Sequence, residues 1–74
     1  MKISARNVFR GTVTQLTHGA VNSEVVIQLP GGVEVVSIIT KYSAESLGLA
    51  VGKEAYAVIK ASDVMIGDPH TPKD

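Results

Sequence analysis

Hydrophobic and polar positions alternate with a period of two over several short stretches of this chain. Glu24 to Leu29 places Val25, Ile27 and Leu29 on one face and Glu24, Val26 and Gln28 on the other, the signature of a strand. Val33 to Thr40 sets Val33, Val35 and Ile39 against Val36 and Ile38, and Glu54 to Ile59 sets Ala55, Ala57 and Ile59 against Tyr56 and Val58. Asn7 to His18 is rich in Val, Phe and Thr, which favours extended backbone, with Gly11 marking a bulge or sharp bend inside it. Val64-Met65-Ile66 is expected to add a short last strand.

The punctuation between these stretches is equally legible. His18-Gly19-Ala20-Val21-Asn22 reads as a turn with Gly19 free to take positive φ, and Pro30-Gly31-Gly32, Gly52-Lys53 and Ala61-Ser62-Asp63 as further turns. Ser43 to Leu47 predicts about one and a half turns of helix, with Ser43 as N-cap, Glu45 as an acid in the first turn and Gly48 as terminator. About five short strands, one helical turn and no βαβ pattern imply an all-β fold. A small five-stranded barrel of the oligonucleotide- or oligosaccharide-binding (OB-like) type is the natural architecture. Residues 1–67 are expected to form the domain, and residues 68–74, with Pro69 and Pro72, a disordered polar tail.

Composition adds a second expectation. The chain has 74 residues, and a domain of that size buries only about 60% of the surface its unfolded form exposes. Hydrophobic residues make up 45%, but with one Phe, two Tyr and no Trp they are mostly small aliphatics, and the absence of cysteine rules out disulfide staples. Both faces of Val33 to Thr40 are apolar, so the outer face is expected to be covered by another copy of the chain. A homo-oligomer is therefore expected. Seven basic and seven acidic residues give zero formal charge, which argues against the broad positive field of non-specific nucleic-acid binders. Nothing at Met1-Lys2-Ile3-Ser4 resembles a signal peptide, and no segment approaches the ~20 apolar residues that span a bilayer. A cytoplasmic protein with no membrane partner is the expectation.

Candidate chemistry concentrates in two clusters, Ser4-Ala5-Arg6 near the start and Lys60-Ala61-Ser62 near the end. Each combines a hydroxyl, backbone amides and one cation, the equipment of an oxyanion site: Arg supplies a planar fork, Lys a point charge, and Ser and N–H groups the remaining donors. Chain ends fray unless tied down, so a site that uses Ser4 and Arg6 is expected to need a second subunit.

These stretches, with Ile3-Ser4-Ala5-Arg6-Asn7, Val51-Gly52-Lys53-Glu54-Ala55-Tyr56-Ala57 and Ile59-Lys60-Ala61-Ser62-Asp63-Val64-Met65-Ile66-Gly67, closely resemble the molbindins, or molybdenum-pterin-binding proteins, over roughly residues 1–67. The resemblance implies an OB-like barrel, a hexamer built as a trimer of dimers, and molybdate or tungstate bound between subunits. Position by position it implies anion contacts from Ser4, Ala5 and Arg6 and from Lys60, Ala61 and Ser62. Thr40 and Ser43 match the family's third contributing segment, at a predicted helix start where free N–H groups favour anions. Val8-Phe9 after Asn7, His18 in the turn and the tail from Asp68 depart from the commoner pattern.

Other function classes fit less well. A single-strand nucleic-acid module would use aromatic platforms and a basic groove, whereas Phe9, Tyr42 and Tyr56 are few and scattered; another small-anion-binding module is the remaining alternative. No Ser/His/Asp or Cys/His constellation suggests an enzyme. His18 and His70 stand alone, so direct side-chain coordination of a metal is not expected.

Overall fold

The computed structural model describes residues 2–70. Four strands, β1 (Asn7–His18), β2 (Asn22–Gln28), β3 (Glu34–Thr40) and β4 (Glu54–Ile59), form one antiparallel sheet in the order β3-β2-β1-β4. A six-residue helix α1 (Lys41–Ser46) follows β3, and a 3₁₀ turn (Ala61–Asp63) follows β4. The fold is an all-β half-barrel carrying one short helix.

Strand β1 is the axis of the molecule. Its first half, Asn7 to Thr12, pairs with β4, and its second half, Thr12 to His18, pairs with β2. The exchange of partners at Thr12 bends the sheet into a curl. Gly11 sits where the curl is tightest: a Cβ there would lie 2.6 Å from the Gln28 carbonyl oxygen and 2.6 Å from Ile27 Cγ2. Glycine is the residue that permits this approach. The bulge falls three residues on, between Val13 and Gln15, where the β1–β2 register slips by one residue and sharpens the twist.

Inside the curl, Val13, Val25, Ile27 and Ala57 form the buried core, with Leu16, Leu29, Val35, Ile39, Leu49 and Ala55 packed against it. The inward phase of β2 and β3 is the one that the alternation predicts. The core is small, and the outward phase of β3 is bare, with Val36 and Ile38 about 60% exposed, whereas Val26 on the outward phase of β2 is buried. An apolar cavity of about 350 Å³ remains between the ends of the curl, lined by residues that include Ile27, Ile39, Leu47, Leu49, Tyr56 and Val58.

Several local expectations need correction. Thr40, not Ser43, caps α1: its Oγ1 accepts from the Ser43 N–H at 3.0 Å, so Ser43 is the third helical residue, and no acid lies in the first turn. The helix C-terminus is as expected. Gly48 takes φ +66, its N–H donates to Glu45 O at 3.0 Å and the Leu49 N–H reaches Ala44 O at 3.1 Å, the Schellman arrangement. Gly19 does not take positive φ; its N–H donates to Asn22 O at 2.7 Å and so closes the β1–β2 hairpin. Val64-Met65-Ile66 is not a strand within this chain, because a strand needs a ladder partner and this segment pairs with no described strand. Of the expected tail, Asp68–His70 holds a local turn in which the His70 N–H donates to Asp68 Oδ1; residues 71–74 lie outside the described residues.

Candidate oxyanion site

The β1–β4 ladder ends on the pair Asn7↔Ile59. One step further out on each strand stand Arg6 and Lys60, so the register itself brings the two cations to the same end of the sheet. Beyond Lys60 the chain folds into the 3₁₀ turn, with the Asp63 N–H donating to Lys60 O at 2.8 Å, and this turns Ala61 and Ser62 back beside the cations. The result is an open concavity of about 680 Å³ lined by Ile3, Ser4, Ala5, Arg6, Val58, Lys60, Ala61, Ser62 and Asp63.

Six of the eight residues expected to meet an anion therefore share one hollow, although Ser4–Arg6 and Lys60–Ser62 are separated by most of the sequence. Among the described residues, the side chains of Ser4, Arg6, Lys60 and Ser62 have no hydrogen-bonding or ionic partner within the chain. Like charges placed opposite one another at a strand end repel. An anion between them converts that repulsion into two charge-assisted hydrogen-bonding contacts.

Thr40 and Ser43 are elsewhere. The pairs Asn22↔Thr40, Ser23↔Ile39 and His18↔Ser23 put them at the His18 end of β1, the end opposite to the Asn7↔Ile59 pair beside which Arg6 and Lys60 stand. Their hydroxyls are also engaged with each other, Thr40 Oγ1 donating to Ser43 Oγ at 2.8 Å while it caps the helix. Thr40 and Ser43 do not line the hollow that gathers the other six.

Two features escape a reading by motif. His18 is the last residue of β1 and its Nδ1 lies 2.6 Å from Ser23 Oγ, which is 1% exposed on the inward phase of β2. Ser23 is the one buried polar side chain among the described residues, and the alternation Ser23, Val25, Ile27 could have placed it inside. The second is Asp63, a carboxylate in the wall of a hollow otherwise furnished with donors.

Comparison with known proteins bears on the same residues. The TOBE domain model matches residues 3–66. A probable molybdenum-pterin-binding protein of Haemophilus influenzae is 48% identical over 67 residues, which is 90% of this chain and 97% of that protein. The chain belongs to the TOBE-domain family, as a molbindin.

Some relatives are larger. The molybdenum transport protein ModE of Azotobacter vinelandii is 53% identical over 66 residues, 89% of this chain but 24% of that protein. The cytoplasmic molybdate-binding protein ModG, solved with molybdate bound, superposes with a TM-score of 0.89 at 49% identity over 93% of this chain and 49% of that one. This molbindin thus spans about a quarter of ModE and about half of ModG. Among its described residues, no group of three or more His, Cys, Asp or Glu could hold a metal ion, and no helix is long and apolar enough to cross a membrane.

Proposed function

We propose that this molbindin binds and stores molybdate or tungstate in the cytoplasm, held non-covalently by Ser4, Ala5, Arg6, Lys60, Ala61 and Ser62, with no chemistry performed on the anion. The observation that carries this reading is the β1–β4 register, which gathers an Arg, a Lys and two free Ser hydroxyls from both ends of the sequence around one hollow. The molybdate-bound state of ModG, at 49% identity, supports the choice of ligand.

The anion is completed by a second chain. Thr40 and Ser43 reach it only if another protomer presents its α1 end to the Arg6/Lys60 end of the first. The bare apolar surface supports the same assembly: Met65 and Ile66 are 92% and 90% exposed, and Val36, Ile38 and Leu47 are largely uncovered. Apolar side chains displayed on this scale mark an interface. In the assembled form, a trimer of dimers, the Val64–Ile66 segment supplies the fifth strand that closes the OB-like barrel.

Titration calorimetry with molybdate, tungstate and sulfate tests the reading. The two larger anions are expected to bind tightly and sulfate weakly, because a cavity sized for a metal–oxygen tetrahedron leaves the smaller anion short of its donors. Sulfate binding as tight as molybdate would count against it.

A further inference from the structure

Asp63 is the odd residue in the hollow. It lines the same wall as Lys60 and Ser62, it is exposed, and its backbone N–H is tied to Lys60 O, which fixes residue 63 beside the cation. Among the described residues its carboxylate takes part in no ion pair or hydrogen bond; Arg10 Nε pairs with Glu54 Oε2 away from the hollow. The fixed charges lining the concavity are Arg6, Lys60 and Asp63, which sum to a single positive charge per chain.

We propose that Asp63 is a specificity-determining residue that weakens the hold of this hollow on fully deprotonated metal oxyanions; the proposal rests on the reading of the hollow as the oxyanion site. A carboxylate is an acceptor only. Molybdate and tungstate at neutral pH carry two charges and no proton, so towards Asp63 they have repulsion and nothing to donate. Hydrogenphosphate carries an O–H and can donate it to the carboxylate. Asp63 therefore lowers affinity for the cargo and at the same time narrows its margin over hydrogenphosphate. For a protein that must give up what it holds, lower affinity is useful: without Asp63 two cations would face the dianion with nothing opposing them. A capping role accounts for the side chain poorly, because a three-residue turn has almost no dipole and the Asp63 carboxylate accepts no N–H.

The test compares wild type with Asp63→Asn and Asp63→Ala, titrated calorimetrically with molybdate and with inorganic phosphate at low and high salt. The alanine variant separates loss of charge from the new donor of asparagine. A unit charge about 7 Å from a dianion in high dielectric corresponds to about a three- to tenfold change, so both variants are expected to bind molybdate that much more tightly. The gain should shrink when salt is raised, and phosphate should gain less than molybdate or lose affinity. Molybdate affinity within twofold of wild type, or lower, in both folded variants would overturn the proposal. Wild-type protein that takes up no molybdate would instead overturn the site reading beneath it, and the two failures are separable in one set of titrations.

Discussion

Replacing Gly11 by alanine probes the bend around which the sheet curls. The added Cβ would sit 2.6 Å from both the Gln28 carbonyl oxygen and Ile27 Cγ2, and 3.1 Å from the Gln28 carbonyl carbon. Side-chain carbons scarcely come closer than 3.0 Å to such atoms, so the two 2.6 Å contacts must open by several tenths of an ångström. Neither neighbour yields easily: one is ladder backbone, and the other belongs to Ile27, which is 5% exposed in the core. Overpacking of this kind costs about 1–3 kcal/mol. Against it stands the smaller conformational freedom of alanine in the unfolded chain, which contributes about 0.4–1 kcal/mol of stabilisation where the backbone conformation suits it, and Gly11 has no positive φ to forbid it. The steric term is the larger over nearly all of this span, leaving a net loss of about 0–2.6 kcal/mol. For a domain of this size a loss near the middle of that range lowers Tm by about 5–10 °C. Thermal unfolding followed by circular dichroism, at one fixed protein concentration and without oxyanion, is the assay. A Tm equal to or above that of wild type would refute the close approach of β1 to β2 at Gly11.

Other expected outcomes follow the same geometry. Arg6→Ala and Lys60→Ala should each weaken molybdate binding by about 1.5–3 kcal/mol, roughly 10- to 150-fold, with circular dichroism unchanged; calorimetry showing full affinity in both would move the site elsewhere. Thr40→Ala removes the α1 cap and should cost about 1 kcal/mol in denaturant unfolding, whereas Thr40→Ser, which keeps the acceptor, should cost much less; equal losses would point away from capping. Ile66→Asp should shift native mass spectra from oligomer towards monomer, since that side chain is solvent-exposed in the single chain and the proposed interface would bury it; an unchanged oligomer would exclude the segment from the interface.

The strands were readable because their side chains alternate. Glu54 to Ile59 and Asn7 to His18 have the observed bounds, and Val25, Ile27 and Ile39 face inward as their phase requires. The helix start was harder, because Thr40 and Ser43 are both capping residues three positions apart and either satisfies the local pattern; tertiary structure decides by ending β3 at Thr40. Val64-Met65-Ile66 carries strand propensity, but propensity does not say which chain supplies the ladder partner. Arg6 and Lys60 were recognisable as candidate anion ligands from residue type, and their meeting is a consequence of antiparallel register. What residue type could not reveal is distance along β1: Thr40 and Ser43 look like companions of Arg6 in sequence and stand at the opposite end of the strand in the fold. Asp63 was legible only as the residue after Ser62, and its place in the wall of the hollow emerges from the 3₁₀ turn.

The most direct measurement is anomalous diffraction from crystals grown with tungstate, whose heavy atom reports its own position. A strong peak is expected within hydrogen-bonding reach of Arg6 and Lys60, at a junction where a neighbouring protomer brings its α1 end close. Crystals in which the hollow beside Arg6 holds no tungsten at saturating tungstate, or in which the metal sits remote from both cations, would contradict the assignment.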